Sequence, residues 1–164
     1  MSILDIKLPV MSKGITLGEI PNKVALFFEL GNCNAGCEGC HSKHLWLDCK
    51  EPMSLKEILE LTKEYKNEGA EAVLLMGGTT NGIPIDDLVA TIYHLSNILP
   101  VGLYSGSDDM HLHLELVNRT FLKWLKIGSY QKDKGGLDSK DTNQRFFEFD
   151  EGGSVIDRTK DFQR

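Results

Sequence analysis

Residues 24–46 read VALFFELGNCNAGCEGCHSKHLW. The first seven, VALFFEL, are a short apolar run rich in β-formers that ends at Gly31, the pattern of a strand buried on both faces. Cys33, Cys37 and Cys40 follow at once as C-x3-C-x2-C, and Cys49 comes nine residues after the last of them. The same order of apolar strand, unusual loop and helix recurs outward along the chain. Ser54 and Glu57 form a capping box before a helix from about Leu55 to Asn67, with Leu55, Ile58, Leu59, Leu61 and Thr62 at helical spacing and Gly69 as the stop. AVLLM (72–76) is a second strand and runs into Gly77–Gly78. Pro84 then suits a helix start, with Asp86 and Asp87 in the first turn where the helix dipole favours acids. Leu88, Val89, Ile92, Leu95 and Leu99 form the buried stripe. VGLYS (101–105) is a third strand ending at Gly106, and Asp108 or Asp109 caps a third helix to about Asn118. WLKIGSY is a fourth strand; a polar loop (131–143) leads to a last strand, RFFEF.

Strands this continuously apolar, alternating with helices, predict an α/β fold with a mostly parallel sheet. Function in such folds gathers at the carboxyl ends of the strands. The cysteine loop, Gly77–Gly78 and Ser105–Gly106 all belong to that edge, so three unusual loops imply one site.

Composition narrows the function class. The chain has 164 residues, a single domain by length, with 41% hydrophobic and 26% charged residues and a net charge of −6. A core of this size needs neither disulfides nor metal for stability. Acidic and basic residues are interspersed without a basic stripe, which argues against nucleic acid as a direct partner. No secretory h-region and no run of eighteen apolar residues is present, so neither membrane nor export is expected. The expected compartment is the cytoplasm, where clustered cysteines read as metal ligands or catalytic groups rather than disulfides.

Three metal arrangements fit the cysteines. Zinc takes four N or S ligands in a closed tetrahedron, which Cys33, Cys37, Cys40 and His44 could supply. Zinc sites, however, usually pin two separate pieces of chain, and here all ligands come from one loop. A 4Fe-4S cluster normally takes four thiolates, and three at this spacing leave one iron open. Cys49 as a fourth ligand would close the cluster and make an electron carrier. Its place beside Trp46 and Leu47 favours a buried, inert thiol instead. Gly36 and Gly39 would let the loop bring backbone N–H groups against the sulfurs. The spacing favours a cluster with one iron available to a substrate.

C-x3-C-x2-C between a first strand and a helix resembles the cluster motif of the radical S-adenosylmethionine (radical SAM) enzymes. CNAGCEGCHSKHLW looks like the cluster loop of glycyl-radical-enzyme activases. The small size, the LYSG segment and KIGSYQKDKGGLDSKDTNQRFFEF are similar to the activating proteins of anaerobic (class III) ribonucleotide reductases. The resemblance covers roughly residues 20–149 of the single domain and leaves a tail at 150–164.

It implies an incomplete βα barrel, with Cys33, Cys37 and Cys40 holding a 4Fe-4S cluster and S-adenosyl-L-methionine chelating the open iron. Gly39, in the cluster loop, and the segment Met76, Gly77, Gly78 and Thr79 would bind that cofactor, the glycine loop offering carbonyls to its amino group. Ser105 and Gly106 would reach its methionyl end, with the Ser105 hydroxyl donating to the carboxylate. The family usually has Gly-Gly-Glu-Pro where this chain has Gly77-Gly78-Thr79-Thr80, so amino-group binding would fall to carbonyls and the Thr79 hydroxyl. Plain turns after strands would account for the same glycines. His41 would pack on the cluster or stand on the surface, and Trp46 reads as core filler or a lid. His111 and His113, two apart on one helix, face different directions and are assigned no role. Thr142 to Arg145 matches a family segment, and a loop pinned by hydrogen bonds would explain it equally well. The implied activity is reduction of the cluster by a flavodoxin-type donor, cleavage of S-adenosylmethionine to methionine and a 5′-deoxyadenosyl radical, and abstraction of hydrogen from a glycine of anaerobic ribonucleotide reductase. The rivals are activation of another glycyl radical enzyme of the pyruvate formate-lyase type, against which TNQR and the short chain argue, and a non-catalytic zinc or iron-sulfur module.

Overall fold

The computed structural model describes residues 2–33, 49 and 51–163. Cys37, Cys40 and Gly39, together with His41, His44 and Trp46, lie outside them.

The expected strand–helix alternation is present. After a 3-10 turn at Ile3–Asp5 come β1 (Lys7–Leu8), β2 (Val10–Thr16) and β3 (Ala25–Leu30). Next are β4 (Met53–Ser54), α1 (Leu55–Asn67), β5 (Ala72–Met76) and α2 (Ile85–Ser96). The remainder is β6 (Val101–Tyr104), α3 (Met110–Arg119), β7 (Trp124–Ile127), β8 (Arg145–Phe149) and β9 (Val155–Asp157), with a closing 3-10 turn at Thr159–Phe162. The helix boundaries follow the chemistry of their ends. Ser54 Oγ accepts the Glu57 N–H at 3.2 Å and starts α1, and Asp109 accepts the His111 and Leu112 N–H groups and starts α3.

Seven strands form one sheet in the order β2-β3-β5-β6-β7-β8-β9. The central four, β3, β5, β6 and β7, are parallel. Both flanks are antiparallel: β2 against β3, β8 against β7, and β9 against β8. The sheet is therefore parallel only in its centre, and it extends beyond residues 20–149 at both ends. Two features hid these flanks. The β2 sequence VMSKGIT has no clean apolar alternation because it lies on an edge, and β9 is only three residues long. The tail is tied to β8: Phe146 N–H donates to Thr159 Oγ1 at 2.9 Å, and the Phe162 ring lies 4.9 Å from that of Phe146.

Register explains the two cores. Phe28, Leu75, Leu103 and Leu125 form one row across the parallel strands, and Phe27, Leu74, Gly102 and Trp124 the next. Successive residues point to opposite faces. The first row packs with Ile58 of α1, Leu88, Ile92 and Leu95 of α2, and Leu116 of α3, so the three α-helices among the described residues lie on one face. The other face is closed by Ile20, Leu137, Phe146 and Phe162. Burying a side chain such as Leu75 stabilises the fold by about 1.5–3 kcal/mol. No helix among the described residues is long and apolar enough to cross a membrane.

Candidate functional site

The carboxyl ends of β3, β5 and β6 bring the expected loops together. At the end of β3, Gly31 N–H donates to Pro9 C=O at 2.7 Å. Asn32 follows with φ +57°, and its side chain accepts the Cys49 N–H at 2.7 Å. Cys33 is half-buried, and its Sγ lies 3.2 Å from Thr80 Oγ1. The first cysteine of the motif therefore touches the segment that follows the two glycines. The Cys49 thiol instead donates to the Val10 C=O at 3.5 Å.

Gly77 and Gly78 have φ of +113° and +121°, a region that side chains other than glycine rarely adopt. Space is tight as well: a Cβ on Gly77 would meet Asn81 Oδ1 at 3.1 Å, and one on Gly78 would meet Leu88 Cδ1 at 3.0 Å, so the neighbouring side chains would have to give. Gly77 N–H donates to Tyr104 C=O at 2.9 Å, which continues the β5–β6 pairing past the strand. Asn81, 3% exposed, holds the turn. Its Oδ1 accepts the Gly78 N–H at 2.6 Å, and its Nδ2 donates to the Leu30 and Gly31 carbonyls. One amide thus ties the glycine turn to the root of the cysteine loop. Sequence reasoning missed it, because a polar residue between turn glycines carries no periodic signal of burial.

The third loop joins through hydroxyls. Thr79 Oγ1 lies 2.7 Å from Ser105 Oγ, which lies 2.7 Å from His113 Nε2. Ser107 N–H also donates to Ser105 Oγ, at 3.2 Å. Ser105 and His113 are 1% and 2% exposed, and Thr79 is half-buried. His113 Nδ1 is buried without a partner among the described residues. The sequence reading, in which His111 and His113 face different directions and neither has a role, did not include this buried contact. His111 is exposed as its spacing predicts, whereas His113 turns inward behind β6. A signal existed: on α3, His113 precedes the buried Leu116 by three residues and shares its face. Burial holds the His113 imidazole pKa below its ordinary value, with the Asp109 and Asp108 carboxylates opposing that shift.

Gly106 leaves the end of β6 half-buried beside this relay. Met76 is half-buried and packs with the core on the helix-free face. There it joins Tyr104, whose hydroxyl donates to the Glu19 C=O and whose ring lies 4.3 Å from the Lys126 ammonium. Burial, reinforced by the Glu19 charge, keeps the Tyr104 phenol protonated. A cleft of about 770 Å3 opens on this face, lined among others by Glu19, Lys126, Tyr130, Leu137 and Phe162. None of Cys33, Gly77, Gly78, Thr79 and Ser105 lines it.

Thr142 to Gln144 pin a loop. Thr142 Oγ1 donates to Gly135 C=O, Gln144 Nε2 to Gly128 C=O and Asn143 Nδ2 to Ser129 C=O, at 3.2, 3.2 and 3.0 Å. No group of three or more possible metal-ligating side chains occurs among the described residues, which include Cys33 and Cys49 of the four cysteines. The chain matches no protein-family model, no curated protein and no solved structure.

Proposed function

We propose that this chain is a radical SAM activase of the cytoplasm that generates a glycyl radical on anaerobic ribonucleotide reductase, with a flavodoxin-type protein as electron donor. The observation that carries the reading is the meeting of Cys33 with Thr80 at 3.2 Å. It brings the root of the C-x3-C-x2-C loop against the glycine turn, as a cluster and a cofactor bound to it would require. Support also comes from the sheet. Strands β3, β5, β6 and β7 follow one another in space in chain order, with the three α-helices among the described residues on one face. A doubly wound sheet carries helices on both faces; the single-faced arrangement of the described helices is consistent with an incomplete βα barrel.

The described residues fit the implied groups. Cys33 offers a half-buried thiol at the carboxyl edge, and Cys37 and Cys40 would complete the ligand set. Gly77 and Gly78 leave no side chain between the backbone and a ligand, Thr79 and Gly106 line the same edge, and Met76 backs it. When bound, a 4Fe-4S cluster and S-adenosylmethionine supply one-electron cleavage of a sulfonium and a radical strong enough to take hydrogen from a glycine Cα. The chain's own residues contribute position. Asn81 locks the glycine turn to β3, and the Ser105–His113 pair locks Thr79. Apolar side chains behind the edge, Leu30, Leu88 and Leu103, keep water from the rear of the site.

The test is anaerobic reconstitution with iron and sulfide. A brown protein with about four irons per chain, lost in Cys33→Ser, Cys37→Ser and Cys40→Ser but kept in Cys49→Ser, supports the assignment. A colourless protein holding one tightly bound zinc contradicts it.

A further inference from the structure

A hydroxyl donates one hydrogen and accepts through two lone pairs. Ser105 Oγ has three neighbours: Ser107 N–H, which can only donate, His113 Nε2 and Thr79 Oγ1. Two proton arrangements satisfy it. With the proton on Nε2, Ser105 accepts from His113 and Ser107 and must give its own hydrogen to Thr79. The Thr79 hydrogen then has to point away from Ser105. With the proton on Nδ1, Ser105 donates to Nε2 and accepts from Thr79, so Thr79 presents only lone pairs outward. That second arrangement strands an N–H in the core, since Nδ1 is buried without a partner among the described residues. In the buried backbone, orphaned N–H groups are rarer than under-satisfied carbonyls, and by the same preference the bare nitrogen rather than the N–H is left in the core. Burial also disfavours the doubly protonated ring.

We infer that the Nε2–H tautomer of His113, relayed by Ser105, leaves the Thr79 hydrogen free to donate outward, so that Thr79 holds the carboxylate of the ligand, a contact the other tautomer denies it. His113 and Ser105 are positioning residues. Ser105, 1% exposed and saturated, gives up to Thr79 the carboxylate contact expected of it from the sequence. Thr79 in turn offers a hydrogen where the glutamate usual at its position, when ionised, can only accept. The inference rests on the proposed function for its ligand, S-adenosylmethionine, and names the half of that molecule which Thr79 holds.

The test has two arms. In the full chain labelled with [15N]histidine, long-range 1H–15N correlations give the tautomer, with His113 identified by the signals lost in His113→Gln. A protonated Nε2 with a bare Nδ1 is expected; a protonated Nδ1 overturns the relay whatever the protein binds. In the second arm, equilibrium binding of S-adenosylmethionine and of its decarboxylated analogue is measured on the reconstituted protein. Thr79→Val weakens the first by about ten- to a hundredfold, the value of a hydrogen bond to a charged group, and leaves the second nearly unchanged. Thr79→Ser restores discrimination, and His113→Gln reduces it. Equal weakening of both ligands by Thr79→Val overturns the carboxylate assignment. Failure of the wild-type protein to bind either ligand overturns the proposed function and the ligand assignment together, and the spectrum, which needs no ligand, separates that failure from a failure of the relay.

Discussion

Two glycine turns stand at the carboxyl edge of the parallel strands, and they are tied down to different ends. After β5, Gly77 and Gly78 are held by Asn81, whose amide spends all its bonds on backbone and leaves the Thr79 and Thr80 hydroxyls to face Ser105 and Cys33. After β7, Gly128 (φ +107°) and Ser129 are held by Gln144 and Asn143, and Ser129 gives its own N–H and hydroxyl to Asp108. The first turn is anchored from behind and presents hydroxyls; the second uses its polar groups on the loops beside it. A buried amide can therefore build a site or merely close a loop, and only the partners of the neighbouring side chains tell which.

The sharpest way to break this comparison is Gly78→Val. Positive φ for a β-branched residue and the approach to Leu88 should together cost about 2–5 kcal/mol, read as a lowered urea midpoint. A variant as stable as wild type would mean that the turn is free to change; the expected loss keeps this substitution from serving as a pure probe of ligand contacts. Asn81→Leu removes the side-chain partner of the Gly78 N–H and of the Leu30 and Gly31 carbonyls and should cost about 2–4 kcal/mol. It should also abolish cofactor binding in whatever fraction remains folded. Gln144→Leu orphans one carbonyl and should cost about 1–2 kcal/mol. Cofactor affinity, corrected for the folded fraction, should be unchanged; a tenfold loss would put the second turn into the site. The smallest effect is a pH slope. His113 is neutral in the fold with a lowered pKa, so its contribution is complete above the unfolded value of about 6.5. It is lost as pH falls from there toward the folded value, because the unfolded chain takes the proton first. His113→Gln should remove that slope from urea midpoints measured between pH 7 and pH 5, whereas His111→Gln should not.

The elements with strong local signals were legible in the sequence. AVLLM and RFFEF give strands with the expected bounds, and Ser54 with Glu57 starts α1 where the capping pattern puts it. The meeting of the Cys33, Gly77–Gly78 and Ser105 loops followed from strand order alone. Tertiary contacts decided what was missed. Strand β2 exists because β3 offers it an edge, and β9 because β8 does. Asn81 and His113 matter through partners distant in sequence, Leu30 fifty-one residues from Asn81 and Ser105 eight from His113. No local pattern encodes such partners. The Thr79 hydroxyl was visible as a ligand group, but its direction depends on Ser105 and on a ring nitrogen two elements away.

The most direct test of the central claim is made on the anaerobically reconstituted, reduced protein supplied with S-adenosylmethionine, by measuring 5′-deoxyadenosine and methionine. The account predicts that both products form in equal amounts and that Cys33→Ser, Cys37→Ser and Cys40→Ser each abolish them, while Cys49→Ser does not. A protein that binds its cluster through Cys49 and yields neither product, with or without the reductase present, would contradict it.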